Sequence, residues 1–414
     1  MKSTLRYTTM IMLIIEVGLL LPTAAKAGSS LGPFVLYSAD SINSIRLQFV
    51  GQMKTTYDNR DNGVNTERTD KLTMEARRLR FTLSGTVYDA NLFYKVHLSL
   101  APNSLELMDF YFNYEYCPCL QFRFGQYKTP FTRYRIQSFQ RLIFVDWAIV
   151  SKYFGTERQT GFAFHNGYER PPQYGYILGV FSGNNARASH AIGLSEVYGD
   201  DVPNPSDLAD PGTIDEFHPE LFLHLAYNGN NINISSNSDE AKTGLRYSFG
   251  LSGVWDLFPT DYYDFSLRLS PELLVKYRGL SALAVGYIGY SEFGAPSKIK
   301  PAMAGGLFQA GYRISERYEM VVRYALVDFT TRLTDNAGRR AEQLISDSGD
   351  DPDVIALYQN AGKVLKECEL AAVLTIYISG NFLKLQNECG WLRHCYTDDN
   401  QDDYRLRSQF QLSF

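Results

Sequence analysis

Residues 126–141 carry four basic side chains and no acidic one. These are Lys128, Arg133, Arg135 and Arg141. A stretch with this charge raises the local concentration of anions when it faces a confined aqueous space with walls of low dielectric constant. Alternatively, it is a surface or interface segment whose charges pair with Asp146 and Glu157. The elements that position the segment decide between the two.

A second set of basic residues occurs in segments where polar and apolar side chains alternate. Because successive side chains of a β-strand point to opposite faces, these residues would share one face and the apolar side chains the other. The set is Arg46, Lys54, Arg78, Arg80, Lys95 and Arg123. If that face is wet, it would attract anions together with residues 126–141. The alternative is that these charges only keep the face hydrated.

Other residue types offer less chemistry. The six histidines show no recognisable catalytic spacing with serine or acidic residues, so a hydrolase is a weaker alternative. Cys117 and Cys119 flank one proline and could form a disulfide, Cys389 and Cys395 could close a small loop, and Cys368 is left over. The paired spacing of zinc ligands is absent. We expect no catalytic site, no metal site and no cofactor.

The composition narrows the class of protein. The chain has 414 residues with 29 Tyr and 26 Phe, and 21% of its residues are charged, which is too apolar for a disordered chain. Beyond residue 25, no apolar run approaches the roughly 20 residues that a membrane-spanning helix needs. No linker divides the chain, so one large domain is possible.

The first residues read as an export signal. Lys2 and Arg6 precede an apolar run at 10–21, and Ala25 and Ala27 form a small-x-small cleavage site. We predict a signal peptide at 1–27 and a mature domain at 28–414, with an uncleaved anchor as the alternative. Removing residues 1–27 changes the net charge from −5 to −7, so bulk charge does not suggest nucleic-acid binding.

Alternation of apolar and polar residues continues to the C-terminus, and the connections alternate in length. Short turns are predicted at 89–91, 117–119, 278–279, 314–316 and 379–381. Long polar stretches lie near 58–72, 128–158, 183–219, 329–368 and 389–402. The connection at 228–242 is longer than its place in this alternation predicts. About sixteen strands result, with short turns at one end and long loops at the other.

This layout predicts an all-β fold, a transmembrane antiparallel β-barrel of about 16 strands. Strands of about 11 residues, tilted by about 45°, span the apolar band of an outer membrane, which is about 25 Å tall. A soluble sandwich would also show alternation. However, the apolar faces are large and aromatic on nearly every strand, and a closed barrel of sixteen strands is too wide for side chains to fill.

The chain resembles the phosphate-selective porin O and P family. The resemblance rests on the run from Gly125 to Gly167, which contains the KTPF block Lys128–Phe131, and on the preceding segment 77–100. ILGVFSGNN (177–185), RYEMVVRYALVDF (317–329), LTIYISGNFLKLQNE (374–388) and the terminal YRLRSQFQLSF extend it along most of the mature chain.

The resemblance implies a trimeric porin of the bacterial outer membrane, embedded in lipid, whose third loop folds inward. The barrel would form a water-filled channel for small hydrophilic solutes, with anions preferred and phosphate among them. Gln159 stands where many relatives have an acid. An acidic stretch at 196–220 lacks Lys and Arg and would repel anions if it overhung the mouth, although a solvated outer loop is the commoner role.

The chain ends in Phe414, after alternating apolar positions. The resemblance implies that the barrel-assembly machinery recognises this terminal aromatic residue as an assembly signal. The main alternative function is an adhesin or receptor acting through the long loops. A plugged transporter would need an N-terminal plug domain, for which residues 28–43 leave no room.

Overall fold

The computed structural model describes residues 34–39, 41–61, 68–101, 104–156, 158–183, 219–256, 263–293, 302–329, 364–396 and 400–414. Almost all of them are in β-strands, and each strand pairs with its sequence neighbours in antiparallel orientation. The strands are β1 (Phe34–Tyr37), β2 (Ser44–Asp61), β3 (Arg68–Val87), β4 (Asp89–Ala101), β5 (Ser104–Cys117), β6 (Leu120–Lys128), β7 (Arg158–His165), β8 (Tyr174–Phe181), β9 (Glu220–Gly229), β10 (Arg246–Asp256), β11 (Tyr263–Tyr277), β12 (Leu280–Phe293), β13 (Ala302–Arg313), β14 (Tyr318–Phe329), β15 (Val364–Ser379), β16 (Leu383–Tyr396) and β17 (Asn400–Ser413).

Strands β2 to β17 close into a sixteen-stranded barrel, because β17 pairs with β2. This confirms the predicted fold class. At the seam, the backbones of Phe49 and Phe414 exchange hydrogen bonds of 2.8 and 3.1 Å, and their rings lie 5.3 Å apart. The short β1 pairs with the start of β2, on the same edge of β2 that β17 occupies further along the strand. The two ends of the barrel are called the turn end and the loop end.

The predicted strand faces are confirmed on the described strands. On β14, for example, Met320, Val322 and Tyr324 are exposed on the outer face, whereas Glu319 and Arg323 are buried inside the barrel. The outer apolar side chains of this and the other strands form the surface that faces lipid. None of the described helices is long and apolar enough to cross a membrane.

Two of the predicted long loops are wrong. β2 and β3 extend to Asp61 and Arg68, and β16 and β17 extend to Tyr396 and Asn400. Polar cross-strand pairs hold these hairpin ends: Asp70 accepts hydrogen bonds from Tyr57 at 2.8 Å and from Asn59 at 2.6 Å. Such pairs stabilise a ladder without leaving an apolar alternation in the sequence. The predicted loop at 329–368 also ends early, since β15 begins at Val364.

The cysteines divide into one disulfide and three thiols. Cys117 and Cys119 are bridged at the β5–β6 turn. Cys389 and Cys395 are free and both lie on the extended strand β16, so the small loop predicted between them is wrong. Six residues along a strand separate them by roughly 20 Å, far beyond the span of a disulfide. Cys368, on β15, is also free.

Candidate functional site

The third connection at the loop end follows β6, and its described residues, 129–156, fold into the barrel, as the family resemblance implies; it is called the constriction loop. It contains the helices α1 (Arg133–Ile136) and α2 (Val150–Phe154), with a 3-10 helix at Phe139–Arg141 between them. Thr132 caps α1 by accepting a hydrogen bond from the backbone of Arg135. Most apolar side chains of the loop are buried, so the loop divides the lumen.

Apolar residues of the loop pack on an apolar patch of the inner wall. The Phe154 ring is stacked on Tyr287 of β12 with centroids 5.2 Å apart, and Phe131 lies 6.3 Å from the same ring. Gly305 of β13 makes room for this contact, because a Cβ there would meet the Phe154 ring at 2.8 Å. The lumen beside β12 and β13 is therefore filled by apolar side chains of the loop and the wall, which leaves the solute path on the other side.

Wall carboxylates hold the backbone of the loop. Glu388 accepts from Val145 N at 2.9 Å, Glu369 from Ile149 N at 2.7 Å, and Glu272 from Arg133 N at 3.0 Å. Glu367 accepts from the Tyr153 hydroxyl at 2.5 Å. Each bond satisfies a buried donor that would otherwise lose its hydration at a cost. The acidic side chains of β11, β15 and β16 are thus occupied in fixing the loop.

The opposite wall, formed by β2 to β7, is basic. Arg78 donates to Asp146 of the loop at 2.8 Å and to Gln52 at 3.0 Å. Arg77 also reaches Asp146, at 3.0 Å. Burial opposes ionisation of Asp146, but Arg78 and Arg77 outweigh it and hold the pKa of this carboxyl well below its ordinary value. The loop is therefore fixed to the basic wall by one carboxylate between two arginines.

Arg77 faces the lumen because the β2–β3 ladder contains a bulge. Gln52 pairs with Arg78 and Met53 pairs with Ala76, so Arg77 has no partner in the register. A bulge inserts one residue and re-aims the side chains beside it. Strict alternation predicted that only Arg78 and Arg80 point into the barrel. The two consecutive arginines were the signal in the sequence that Arg77 also faces the lumen.

Further along this wall, Arg80 and Arg158 differ in their partners. Arg158 pairs with Asp109 at 2.5 Å, and Asp109 also contacts His97 at 3.0 Å and Lys95 at 3.7 Å. Within the part of the chain that the structure describes, Nε and Nη1 of Arg80 have no hydrogen-bond partner. These two buried nitrogens therefore have no direct contact with an acid in that part of the chain.

Arg123 lies between aromatic rings nearer the turn end. Its guanidinium is 4.3 Å from the Tyr111 centroid and 4.2 Å from that of Tyr168, and it donates to Asn113 at 3.1 Å. Tyr168 belongs to the β7–β8 connection, which bends inward so that its hydroxyl donates to the Lys128 carbonyl at 2.6 Å. These contacts fix the cation without neutralising it.

Glu169, in the same connection, lies 3.9 Å from Lys95. Lys95, followed by Arg123, lowers the pKa of Glu169 against the opposing effect of burial. Glu169 therefore compensates part of the positive charge at the turn end.

A cavity of about 650 Å³ remains between the constriction loop, the basic wall and the turn end. Of the side chains in the described part of the chain, nine basic and three acidic ones line it, an excess of six positive charges. The basic ones are Arg46, Lys95, Arg123, Lys128, Arg133, Arg141, Arg158, Arg170 and Arg313, and the acidic ones are Asp109, Glu169 and Glu240. A passing solute would meet a predominantly positive potential.

Six of the ten basic residues predicted for the lumen and the loop line this cavity, and four do not. Lys54 pairs with Glu75 at 2.9 Å, away from the cavity. Arg78 and Arg80 lie on the basic wall beyond it. Arg135 packs over Trp147, with its guanidinium 4.8 Å from the ring centroid. Arg158 was missed as a cavity residue because it follows directly on the loop, where no alternation precedes it.

The predicted acidic stretch 196–220 lies outside the described residues except for its last members. Glu220 begins β9 and is buried, with Arg268 donating to it at 2.6 Å and Gln159 at 2.7 Å. It is therefore a lumen residue and not part of a solvated outer loop. Among the described residues, no group of three or more His, Cys, Asp or Glu side chains could hold a metal ion.

Comparisons with known proteins agree with this geometry. The profile of the family described as "Phosphate-selective porin O and P" matches residues 48–200. No curated protein sequence matches the chain.

Solved structures share the fold at low identity. The outer membrane channel DcaP of Acinetobacter baumannii is 13% identical with a TM-score of 0.58, covering 92% of this chain and 99% of its own. OprB of Pseudomonas putida is 12% identical with a TM-score of 0.56, covering 89% and 93%. An anion-selective porin from Comamonas acidovorans is 11% identical with a TM-score of 0.52, covering 89% and 100%.

The family and the fold indicate a channel rather than an enzyme, and they locate it in the bacterial outer membrane. The chain thus has the barrel fold of these outer-membrane proteins and, over residues 48–200, matches the family described as "Phosphate-selective porin O and P".

Proposed function

We propose that this porin conducts small hydrophilic solutes by passive diffusion and prefers anions, phosphate among them. The observation that carries the preference is the excess of six positive charges around the cavity beside the constriction loop. Two acids of the opposite wall do not offset it, because each is already in an ion pair: Glu369 with Arg323 and Glu388 with Arg407. A confined basic passage concentrates anions and repels cations.

Arg46 offers the sharpest test, since it lines the cavity and forms no ion pair among the described residues, so that its removal leaves no acid without a partner. We expect Arg46→Gln to lower the chloride-to-potassium permeability ratio by up to about fivefold, the effect of one unit charge at about 4 Å in water. Arg60→Gln is the matched control, because Arg60 lies near the loop end of β2 with its side chain 56% exposed. Reversal potentials of purified protein in planar bilayers measure both ratios. An equal loss in both variants would contradict the proposal.

Whether the channel binds phosphate is tested separately in the same recordings. Added inorganic phosphate should reduce the chloride current in a concentration-dependent way if the basic cavity binds it. An unchanged chloride current would remove phosphate from the proposal and leave a general anion channel. The resemblance to the family supports phosphate only as one of the anions to be tested.

Export and assembly complete the proposal. We propose that residues 1–27, which lie outside the described residues, are removed as a signal peptide, so that the mature protein begins at Gly28. N-terminal sequencing of the outer-membrane form tests this. We also propose a homotrimer, which would migrate as a heat-dissociable band about three times the monomer mass; a monomeric band without heating would contradict it.

A further inference from the structure

The connection between β9 and β10, residues 230–245, is unlike the other connections at the turn end. It has sixteen residues, whereas the described others have one to eight. Ile232 and Ile234 are buried and join the apolar cluster of the constriction loop. Residues 236–239 are also buried, with Asp239 fully inaccessible. This segment, called the strap, therefore enters the lumen from the end opposite to the constriction loop.

Several side chains fasten the strap to the wall. Asp239 forms an ion pair with Arg246 and accepts from Gly279 N at 2.8 Å. Lys276 donates to the carbonyls of Asn233 and Ser236, at 2.7 Å each. These anchors lie on β10 and on β11 with its following turn, so the strap has a fixed position across part of the turn-end mouth.

The strap also holds two arginines of the constriction loop. Arg133 Nη1 donates to the Ile234 carbonyl at 3.0 Å and to Asn237 Oδ1 at 3.1 Å, and Arg141 donates to the Ser235 hydroxyl. All three acceptors are neutral. They satisfy the guanidinium donors and leave the positive charges in place.

Arg133 also has a carboxylate nearby, outside the strap, with which it can form an ion pair. Glu272 of β11 lies 3.8 Å from Arg133 Nε, whereas the strap oxygens lie closer to Nη1. Without the strap, the guanidinium would lose its neutral acceptors and could turn fully toward Glu272. The strap therefore decides whether Arg133 presents its charge to the cavity.

We propose that the strap is a positioning element for selectivity, which holds Arg133 and Arg141 at the cavity through neutral oxygens and narrows the turn-end mouth. Asn233, Ile234, Ser235 and Glu240 of the strap line the cavity, which supports both roles. The part concerning charge rests on the proposed anion preference, and the part concerning pore size does not.

Two variants separate these roles in the full-length protein. Asn237→Asp keeps the size of the side chain and adds a carboxylate beside Arg133. We expect the chloride-to-potassium permeability ratio to fall about fivefold with little change in conductance, since one added charge acts at about 4 Å. Asp239→Ala removes the ion pair with Arg246 that anchors the strap, so the strap should be released. We expect its release to raise the single-channel conductance and to lower the permeability ratio.

Lys242→Gln is the matched control, because Lys242 is an exposed strap residue whose ammonium only reaches the Ile314 carbonyl at 3.4 Å. It should change neither quantity. If the Asp239→Ala variant does not assemble, Asp239→Asn takes its place in the comparison, because the asparagine side chain still offers an oxygen to Gly279 N. Assembled variants with wild-type conductance and permeability ratio would overturn the proposal. A wild-type channel without anion preference would refute the proposed function, but a larger conductance on release of the strap would still support its effect on pore size.

Discussion

Glu369 is the residue whose loss should affect the constriction loop most. Its Oε1 accepts from Arg323 Nε at 2.8 Å and also from Nη2, and its Oε2 accepts from Ile149 N at 2.7 Å. Arg323 is fully buried, lies over Phe144 at 4.0 Å, and donates to the Asp146 carbonyl at 3.0 Å. One carboxylate thus neutralises a buried cation and fixes the loop backbone.

The size of the effect follows from these contacts. Leaving a buried ion-pair partner without its counter-charge costs about 3–5 kcal/mol, and an unsatisfied buried N–H costs about 1–3 kcal/mol, although the two are not additive. Because lumen water can enter the vacated space, we expect the lower end for Glu369→Ala, a loss of about 3 kcal/mol in the free energy of unfolding. The released loop should also make the open-channel current noisier.

Asp328→Ala is the matched control on the neighbouring strand β14. Asp328 pairs with Lys366 at 2.9 Å, with side chains 37% and 51% exposed. An exposed pair of this kind contributes about 0–1 kcal/mol. Urea unfolding in lipid vesicles, followed by tryptophan fluorescence, gives both free energies, and single-channel recordings give the noise. The reasoning is refuted if the two variants lose the same small free energy and both currents stay quiet.

Three further outcomes are expected. Deletion of Phe414 should reduce the amount of heat-modifiable barrel in the outer membrane, because this residue closes the seam; an unchanged amount would count against an assembly role. Gly305→Val should push the Phe154 ring out of its contact and raise current noise, since the added Cβ would meet that ring at 2.8 Å; a quiet channel would argue that the loop position does not depend on this contact. The pKa of Asp146 is lowered by Arg78, so its contribution to stability is present above the unfolded pKa of about 4 and is lost as pH falls through the folded value. The stability difference between the wild type and Asp146→Asn should therefore be constant from pH 5 to 8 and shrink only below about pH 4, whereas a change near neutral pH would contradict the pairing.

The barrel could be predicted from sequence because alternation is imposed on every strand by the same physical division between lipid and lumen. Met320, Val322 and Tyr324 on one face and Arg323 on the other are typical. The same rule placed Lys95 and Arg123 inside without any structural information. What it could not predict is the position of side chains where the rule is broken, as at Arg77, whose direction depends on a bulge in the ladder with β2.

The part of the wall against which the constriction loop packs was not predicted, for a different reason. On β12, Leu283, Val285 and Tyr287 face inward although the outward positions are also apolar, so this strand shows weak alternation. Such a strand is apolar on both faces: its inner face is covered by the constriction loop, and its outer face is exposed, as at Ile288. The failure of alternation on β12 and β13 was therefore a signal for the part of the lumen that apolar side chains fill. The contact of Glu388 with a loop backbone more than 240 residues earlier left no local pattern.

The sign of the reversal potential of wild-type protein in a KCl gradient across a planar bilayer tests the central claim most directly. The excess of positive charge around the cavity predicts an anion-selective channel whose selectivity weakens as salt is raised, because screening shortens the reach of these charges. Cation selectivity would contradict the role assigned to the basic wall and the constriction loop, and an absence of conductance would contradict the channel itself.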